Sequence, residues 1–187
     1  MIYGVVGQRK GGTSAVAGVL KILGVDMKYR DQGRLDDADL IMATRRGEVV
    51  VKRLIKERGY DWGFKHPLLE YDKVLPLLPR YKLIYVYRDP VAVIQHYKPE
   101  ASSGQIKKHL EEMEYFTNLP LGLNVSYEKL FDRTEEQVAR IAKYVGLPFN
   151  EKAVRWVKEG KNYNNIDKYV KEVPKEKSDF TFDEELT

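Results

Sequence analysis

The chain has 187 residues, of which 43% are hydrophobic and 32% charged, with three histidines and no cysteine. That length suits one domain with its own core, the missing cysteines exclude disulfides and cysteine-based zinc sites, and the few, separated histidines give metal catalysis little to build on. A net charge of +4 and a pI near 9.0 favour an anionic ligand. Acidic residues are interspersed throughout and no basic aromatic platform appears, so a nucleotide is expected and not a nucleic acid.

Strand-like sequence follows Met1 directly, with no basic leader and no long apolar run, so the expectation is a cytoplasmic protein without a membrane span. Ile2, Val5 and Val6 form a short β-prone run, and Val16, Val19, Leu20 and Leu23 recur at helical spacing. Between them lies Gly7-Gln8-Arg9-Lys10-Gly11-Gly12-Thr13-Ser14, placed to deliver backbone N–H groups and a helix N-terminus to an anion. The glycines admit close approach of tetrahedral oxygens, and Thr13 and Ser14 are expected to donate hydroxyls and cap the helix. A tight connection without a ligand is the plain alternative. Gly7, Gly12 and Ser14 match the nucleotide loop G-x-x-x-x-G-K-[ST], but Thr13 replaces its lysine and the cation sits earlier, at Lys10.

Gly24 is placed to end the first helix, and Asp31-Gln32-Gly33 reads as a turn. Asp36, Asp37 and Asp39 then precede Leu40, Ile41 and Met42, where they serve either a helix dipole or catalysis. A helix is predicted over 48–58, burying Val49, Val50, Leu54 and Ile55 and stopping at Gly59. In Trp62-Gly63-Phe64-Lys65-His66-Pro67 an aromatic strand runs into a Lys-His pair, and strand ends of parallel sheets face ligands. The alternative is a solvated Lys65 and a His66 that only caps a helix from Leu68 to Leu78. Residues 82–87 form the strongest strand, apolar enough to be buried on both faces, and end in Arg88-Asp89-Pro90. A guanidinium there, before a helix starting at Pro90 and carrying His96, suits a phosphate.

Beyond it, a helix over 102–116 carries Ile106, Leu110, Met113 and Phe116 on one face, and a fourth strand over 121–127 ends in Tyr127-Glu128-Lys129-Leu130. Thr134 is read as the cap of a helix through Tyr144, followed by Gly146-Leu147-Pro148 and a last helix over 150–158. Residues 1–160 are expected to form the single domain, and 161–187, polar with few apolar anchors, a charged arm or tail. Alternating strands and helices predict a three-layer α/β fold, a mainly parallel sheet flanked by helices with right-handed crossovers.

Taken together, four motifs resemble sulfotransferases that use 3′-phosphoadenosine 5′-phosphosulfate (PAPS), particularly their compact bacterial-type branch, over Gly7 to about Pro148. Lys10-Gly11-Gly12-Thr13-Ser14 is similar to the 5′-phosphosulfate loop, with Gly11 in place of a serine. Trp62 to Pro67, followed by Leu77-Leu78-Pro79, is similar to a Trp-Gly-x-Lys-Asp-Pro stretch before a Leu-Pro. Tyr87-Arg88-Asp89-Pro90 resembles the 3′-phosphate motif, with His96 at its serine position, and Ser126 to Leu130 resembles a Tyr-Glu-Asp-Leu stretch. The acceptor-enclosing segment before Trp62 is short, and in place of the family's C-terminal glycine loop only Lys161 or Lys168 is at hand.

The resemblance implies a P-loop-like fold, PAPS as sulfuryl donor with PAP as product, no metal, and a small-molecule or carbohydrate acceptor. It implies Lys10, Lys65 and His66 as catalytic, and Arg9, Lys10, Gly11, Gly12, Thr13, Ser14, Arg88, His96 and Tyr127 as nucleotide-binding. His66 is the preferred base, with Asp36 and Asp37 as competitors. A P-loop nucleotide kinase and a nucleotide-binding protein without turnover are the alternative functions.

Overall fold

The computed structural model describes residues 1–29, 35–66, 70–97, 103–119, 122–160 and 166–170. The turn predicted at 31–33, Pro67, Leu68, Lys161 and the chain beyond 170 lie outside the described residues. Among the described residues four strands, β1 (Ile2–Gly7), β2 (Trp62–Lys65), β3 (Tyr81–Tyr87) and β4 (Leu123–Ser126), form one sheet in the order β2-β1-β3-β4, each pair of neighbours parallel. Along β3 the side chains alternate between the two faces, Leu83 and Tyr85 toward one core and Ile84 and Val86 toward the other. Residues 25–28 run beside the outer edge of β2, through a parallel bridge between Met27 and Gly63.

One face of the sheet is covered by α1 (Thr13–Leu23), α8 (Thr134–Val145) and α9 (Glu151–Glu159), whose Val16, Leu20, Val138, Ile141 and Trp156 are buried. Gly18 lets α1 and α9 meet closely, because a Cβ there would lie 2.4 Å from the Trp156 indole nitrogen. The other face carries α2 (Ala38–Arg46), α3 (Glu48–Arg58), α4 (Tyr71–Val74) and the end of α6 (Ser103–Thr117). The described residues also form the helices α5 (Pro90–Tyr97), α7 (Tyr127–Asp132) and α10 (Asp167–Val170). The result is the predicted three-layer α/β architecture.

Several local expectations are corrected. In α3 the buried residues are Val51 and Ile55, while Val49 is 73% exposed, because positions two apart lie on opposite sides of a helix. In α6, Phe116 is buried but Ile106 and Leu110 are exposed: the helix reaches the core through its last turn, where Phe116 packs between the rings of Tyr71 and Tyr85. The helix expected to reach Leu78 is a short α4 that tightens into a 3-10 turn, Leu75–Leu77, at Pro76. The fourth strand stops at Ser126, whose hydroxyl accepts from Lys129 N and caps α7. Thr134 does not cap α8; its hydroxyl donates to Phe131 O at 3.0 Å. Past Gly160, Ile166 and Tyr169 are buried among the α1 and α9 side chains, so at 166–170 the chain is anchored to the core and is no free arm.

Candidate functional site

The site follows from strand order. The connection leaving β1 runs to β2 on one side, and the chain leaving β3 runs to β4 on the other, so the carboxyl ends of β1 and β3 border a switch point of the kind where α/β sheets bind ligands. The β1 end continues into residues 7–14, and the β3 end into Arg88.

Residues 8–12 make a compact turn, with Gly11 N donating to Gln8 O at 3.1 Å and Lys10 and Gly12 both left-handed, at φ 63° and 94°. A Cβ on Gly7 would lie 2.3 Å from Val86 O, so only glycine lets the loop leave β1 this close to β3. Neither hydroxyl caps α1. Its N-cap is Gly12, with no side-chain cap; Thr13 is buried, and Ser14 accepts from Lys65 Nζ at 3.0 Å. A helix leaves its first N–H groups without intrahelical acceptors and adds the positive end of its dipole, so the start of α1 has the geometry and field that suit an anion, with the exposed Arg9 and Lys10 beside it.

Lys65 ends β2 and its residue is only 4% exposed, so its ammonium depends on its neighbours. It pairs with Asp36 Oδ1 at 2.5 Å as well as bonding Ser14, which ties β2, the segment before α2 and the loop after β1 together. His66 follows, half-buried, its carbonyl accepting from Tyr71 Oη at 2.6 Å. Burial, the largest effect, pushes the imidazole below its usual pKa, so it is neutral at pH 7; the nearby Asp36 carboxylate opposes that shift. Asp37 has a structural position: it caps α2 through Leu40 N and receives both guanidinium nitrogens of Arg58, at 2.6 and 2.9 Å. The carboxylate so engaged is only 1% exposed.

On the other side of the switch point, Asp89 caps α5 by accepting from Val91 N at 2.9 Å, and Pro90 occupies the first helical position, which needs no N–H. Arg88 is thereby delivered at the strand end. Its Nη1 donates to Lys10 O at 3.3 Å, and its guanidinium lies 4.5 Å from the centre of the Tyr127 ring. The Tyr127 ring also fills the space left by Gly12, where a Cβ would come within 2.1 Å of it. Loop, arginine and tyrosine therefore form one packed unit.

Of the sequence-predicted residues, Lys10, Gly11, Gly12, Thr13, Ser14, Arg88 and Tyr127 come together around residues 7–14, with Lys65 bonded to Ser14 and His66 next to it. Arg9 is exposed on the same loop. His96 lies on α5, but its side chain is outside the described residues. Lys168 is engaged with Glu159 at 3.2 Å and lies over the Tyr169 ring. Sequence reasoning missed the Asp36 pair with Lys65 and the part played by Glu128, whose carboxylate accepts from Asp89 N at 3.0 Å and from Ser126 Oγ at 2.9 Å. The Asp36–Lys65 pair and the Glu128 bond to Asp89 had no local signal, since their partners lie 29 and 39 residues apart; only the Ser126 bond is local. Among the described residues no acidic or histidine cluster could hold a metal, and no helix is long and apolar enough to cross a membrane.

This is the fold of the sulfotransferases. A sulfotransferase domain of the Synechococcus PCC 7002 olefin synthase superposes with a TM-score of 0.54 at 13% identity, covering 92% of this chain and 87% of that domain. Retinol dehydratase in complex with retinol and PAP gives 0.51 at 16% identity, and mouse sulfotransferase SULT7A1 complexed with PAP gives 0.50 at 15%. These two cover 86% and 84% of this chain, which spans 64% and 62% of their respective lengths. A sugar kinase from Janibacter sp. HTCC2649 is also similar, at a TM-score of 0.49 and 14% identity. No protein-family profile and no curated protein matches the sequence.

Proposed function

We propose that the chain is a sulfotransferase that moves a sulfuryl group from PAPS to a hydroxyl or amine of a small-molecule or carbohydrate acceptor. The observation that carries this reading is the Lys10 loop and Arg88 meeting across the switch point, with Lys65 bonded to Ser14 of that loop. In this reading one nucleotide takes two anion positions, its 5′-phosphosulfate at the loop and helix start and its 3′-phosphate at Arg88. The packed contact of Tyr127 with Gly12 and Arg88 supports both positions, and two fold relatives were solved with PAP, a nucleotide that carries both a 3′- and a 5′-phosphate.

In the proposed reaction the acceptor hydroxyl gives its proton to His66, its oxygen bonds to sulfur, and the bond between sulfur and the 5′-phosphate oxygen breaks. Negative charge builds on the departing phosphate, where Lys10, the loop N–H groups and Lys65 stabilise it, a kind of donor worth about 3 kcal/mol each. His66 suits the base because it is held neutral at pH 7. Asp36 is the competitor, already engaged by Lys65. The scheme routes no step through a metal.

Titration calorimetry with PAP and ATP, with EDTA or Mg²⁺, tests the reading. PAP is expected to bind in EDTA and more tightly than ATP, whereas Mg²⁺-dependent ATP binding with no response to PAP supports a kinase. Lys10→Ala is expected to weaken ligands with and without a 3′-phosphate alike, and Arg88→Ala only those that carry it. Labelled sulfate transfer to a panel of hydroxyl and amine compounds then separates an enzyme from a binding protein.

A further inference from the structure

Glu128 belongs to no catalytic or nucleotide-binding group described above, yet it lies where the two halves of the site are joined. Its two carboxylate oxygens do separate jobs: Oε1 accepts from Asp89 N at 3.0 Å and Oε2 from Ser126 Oγ at 2.9 Å. Asp89 is the residue after Arg88 and the cap of α5, so its N–H is part of the peptide that fixes where Arg88 leaves β3. Ser126 is the last residue of β4 and the cap of α7, so the second bond fixes where Tyr127 begins. One carboxylate therefore ties the backbone beneath Arg88 to the backbone beneath Tyr127, and these two side chains stack at 4.5 Å. Burial, the largest single effect, pushes the carboxyl up, but the hydrogen bonds from Asp89 N, its own N–H and Ser126 Oγ, with the nearby Arg88 charge, together outweigh it and hold the carboxyl below its usual range, so it is an acceptor at both oxygens near neutral pH.

We propose that Glu128 is a positioning residue for recognition of the nucleotide 3′-phosphate, acting by clamping the Arg88–Asp89 peptide to the start of α7 so that the guanidinium is held against Tyr127 in a fixed direction. This rests on the assignment of Arg88 to the 3′-phosphate in the proposed function. A guanidinium binds phosphate as a planar fork, so its contribution depends on orientation as much as on charge. Without the clamp Arg88 remains cationic and close by but is no longer aimed. The loop at residues 7–14 makes neither bond to Glu128 and meets the clamp only through Arg88 and the Tyr127 ring, so 5′-phosphate binding depends on it less than 3′-phosphate recognition does.

The test is calorimetric affinity for two probes, 3′-phosphoadenosine 5′-phosphate and adenosine 5′-phosphate, in the wild type, Glu128→Ala, Glu128→Gln and Arg88→Ala. Glu128→Ala is expected to reduce the ratio of the two affinities about tenfold while leaving adenosine 5′-phosphate within twofold. Glu128→Gln, which keeps one carbonyl acceptor, is expected to recover part of the ratio. An equal loss for both probes marks Glu128 as a general structural support and overturns the proposal, as does a ratio unchanged in Glu128→Ala while Arg88→Ala abolishes it. If the wild type itself does not distinguish the probes, the assignment of Arg88 falls first and the inference with it.

Discussion

Gly12→Ala probes the join between the loop and the arginine, because two independent penalties arise at that one atom. Gly12 has φ 94°, and a left-handed conformation costs a residue with a Cβ about 1–2 kcal/mol. The added Cβ would also lie 2.1 Å from Tyr127 Cδ2 and 2.8 Å from Cε2, so the ring must move by more than an ångström, an overpacking cost of about 1–3 kcal/mol. The sum is about 2–5 kcal/mol of folding stability, or a fall in melting temperature of about 4–20 °C at this chain length. Moving the ring also removes the support under Arg88, so affinity for PAP is expected to fall further than affinity for adenosine 5′-phosphate. Denaturant unfolding and calorimetry on Gly12→Ala, Tyr127→Ala and the double variant check this. Tyr127→Ala removes the clash but not the backbone strain, so in its background Gly12→Ala is expected to retain only the smaller penalty. Additive effects of the two substitutions, or a Gly12→Ala cost within ~0.5 kcal/mol of zero, refute the reasoning.

The pH dependence tests His66. The neutral imidazole is the favoured form, so its contribution to stability is complete above the unfolded value of about 6.5 and is lost as the pH falls through the lowered folded value. The acid limb of the transfer rate is expected on that same acidic side, and His66→Asn is expected to depress the rate and remove the limb while sparing PAP affinity; a limb that survives in His66→Asn and vanishes in Asp36→Asn moves the base to Asp36. Deleting the chain after Gly160 is expected to destabilise the fold by about 2–5 kcal/mol, because Ile166 and Tyr169 leave the core, and an unchanged denaturant midpoint contradicts that packing.

Much of this protein is legible in local sequence. The runs Ile2–Gly7, Trp62–Lys65 and Tyr81–Tyr87, the loop at 7–14, the Arg-Asp-Pro stop and the glycine ends of α1 and α8 are set by periodicity, β-branching and backbone permissiveness, which act over a few residues. Local sequence therefore located the cations, Lys65 and Arg88 at strand ends and Lys10 in the loop that follows β1. It did not distinguish Asp36 from Asp37, since both precede the same helix. Tertiary structure separates them by what folds back onto each: Arg58 from the end of α3 takes Asp37 into a buried pair, and Lys65 takes Asp36. The same is true of α6, where local pattern offered four apolar residues to a core that receives Phe116 and leaves Ile106 and Leu110 exposed. It is also true of Ile166 and Tyr169, too sparse to read as core until α1 and α9 supply the surface they cover. Charge pairing and burial depend on which distant segment arrives at a position, and that is decided by the strand order β2-β1-β3-β4, which no local pattern encodes.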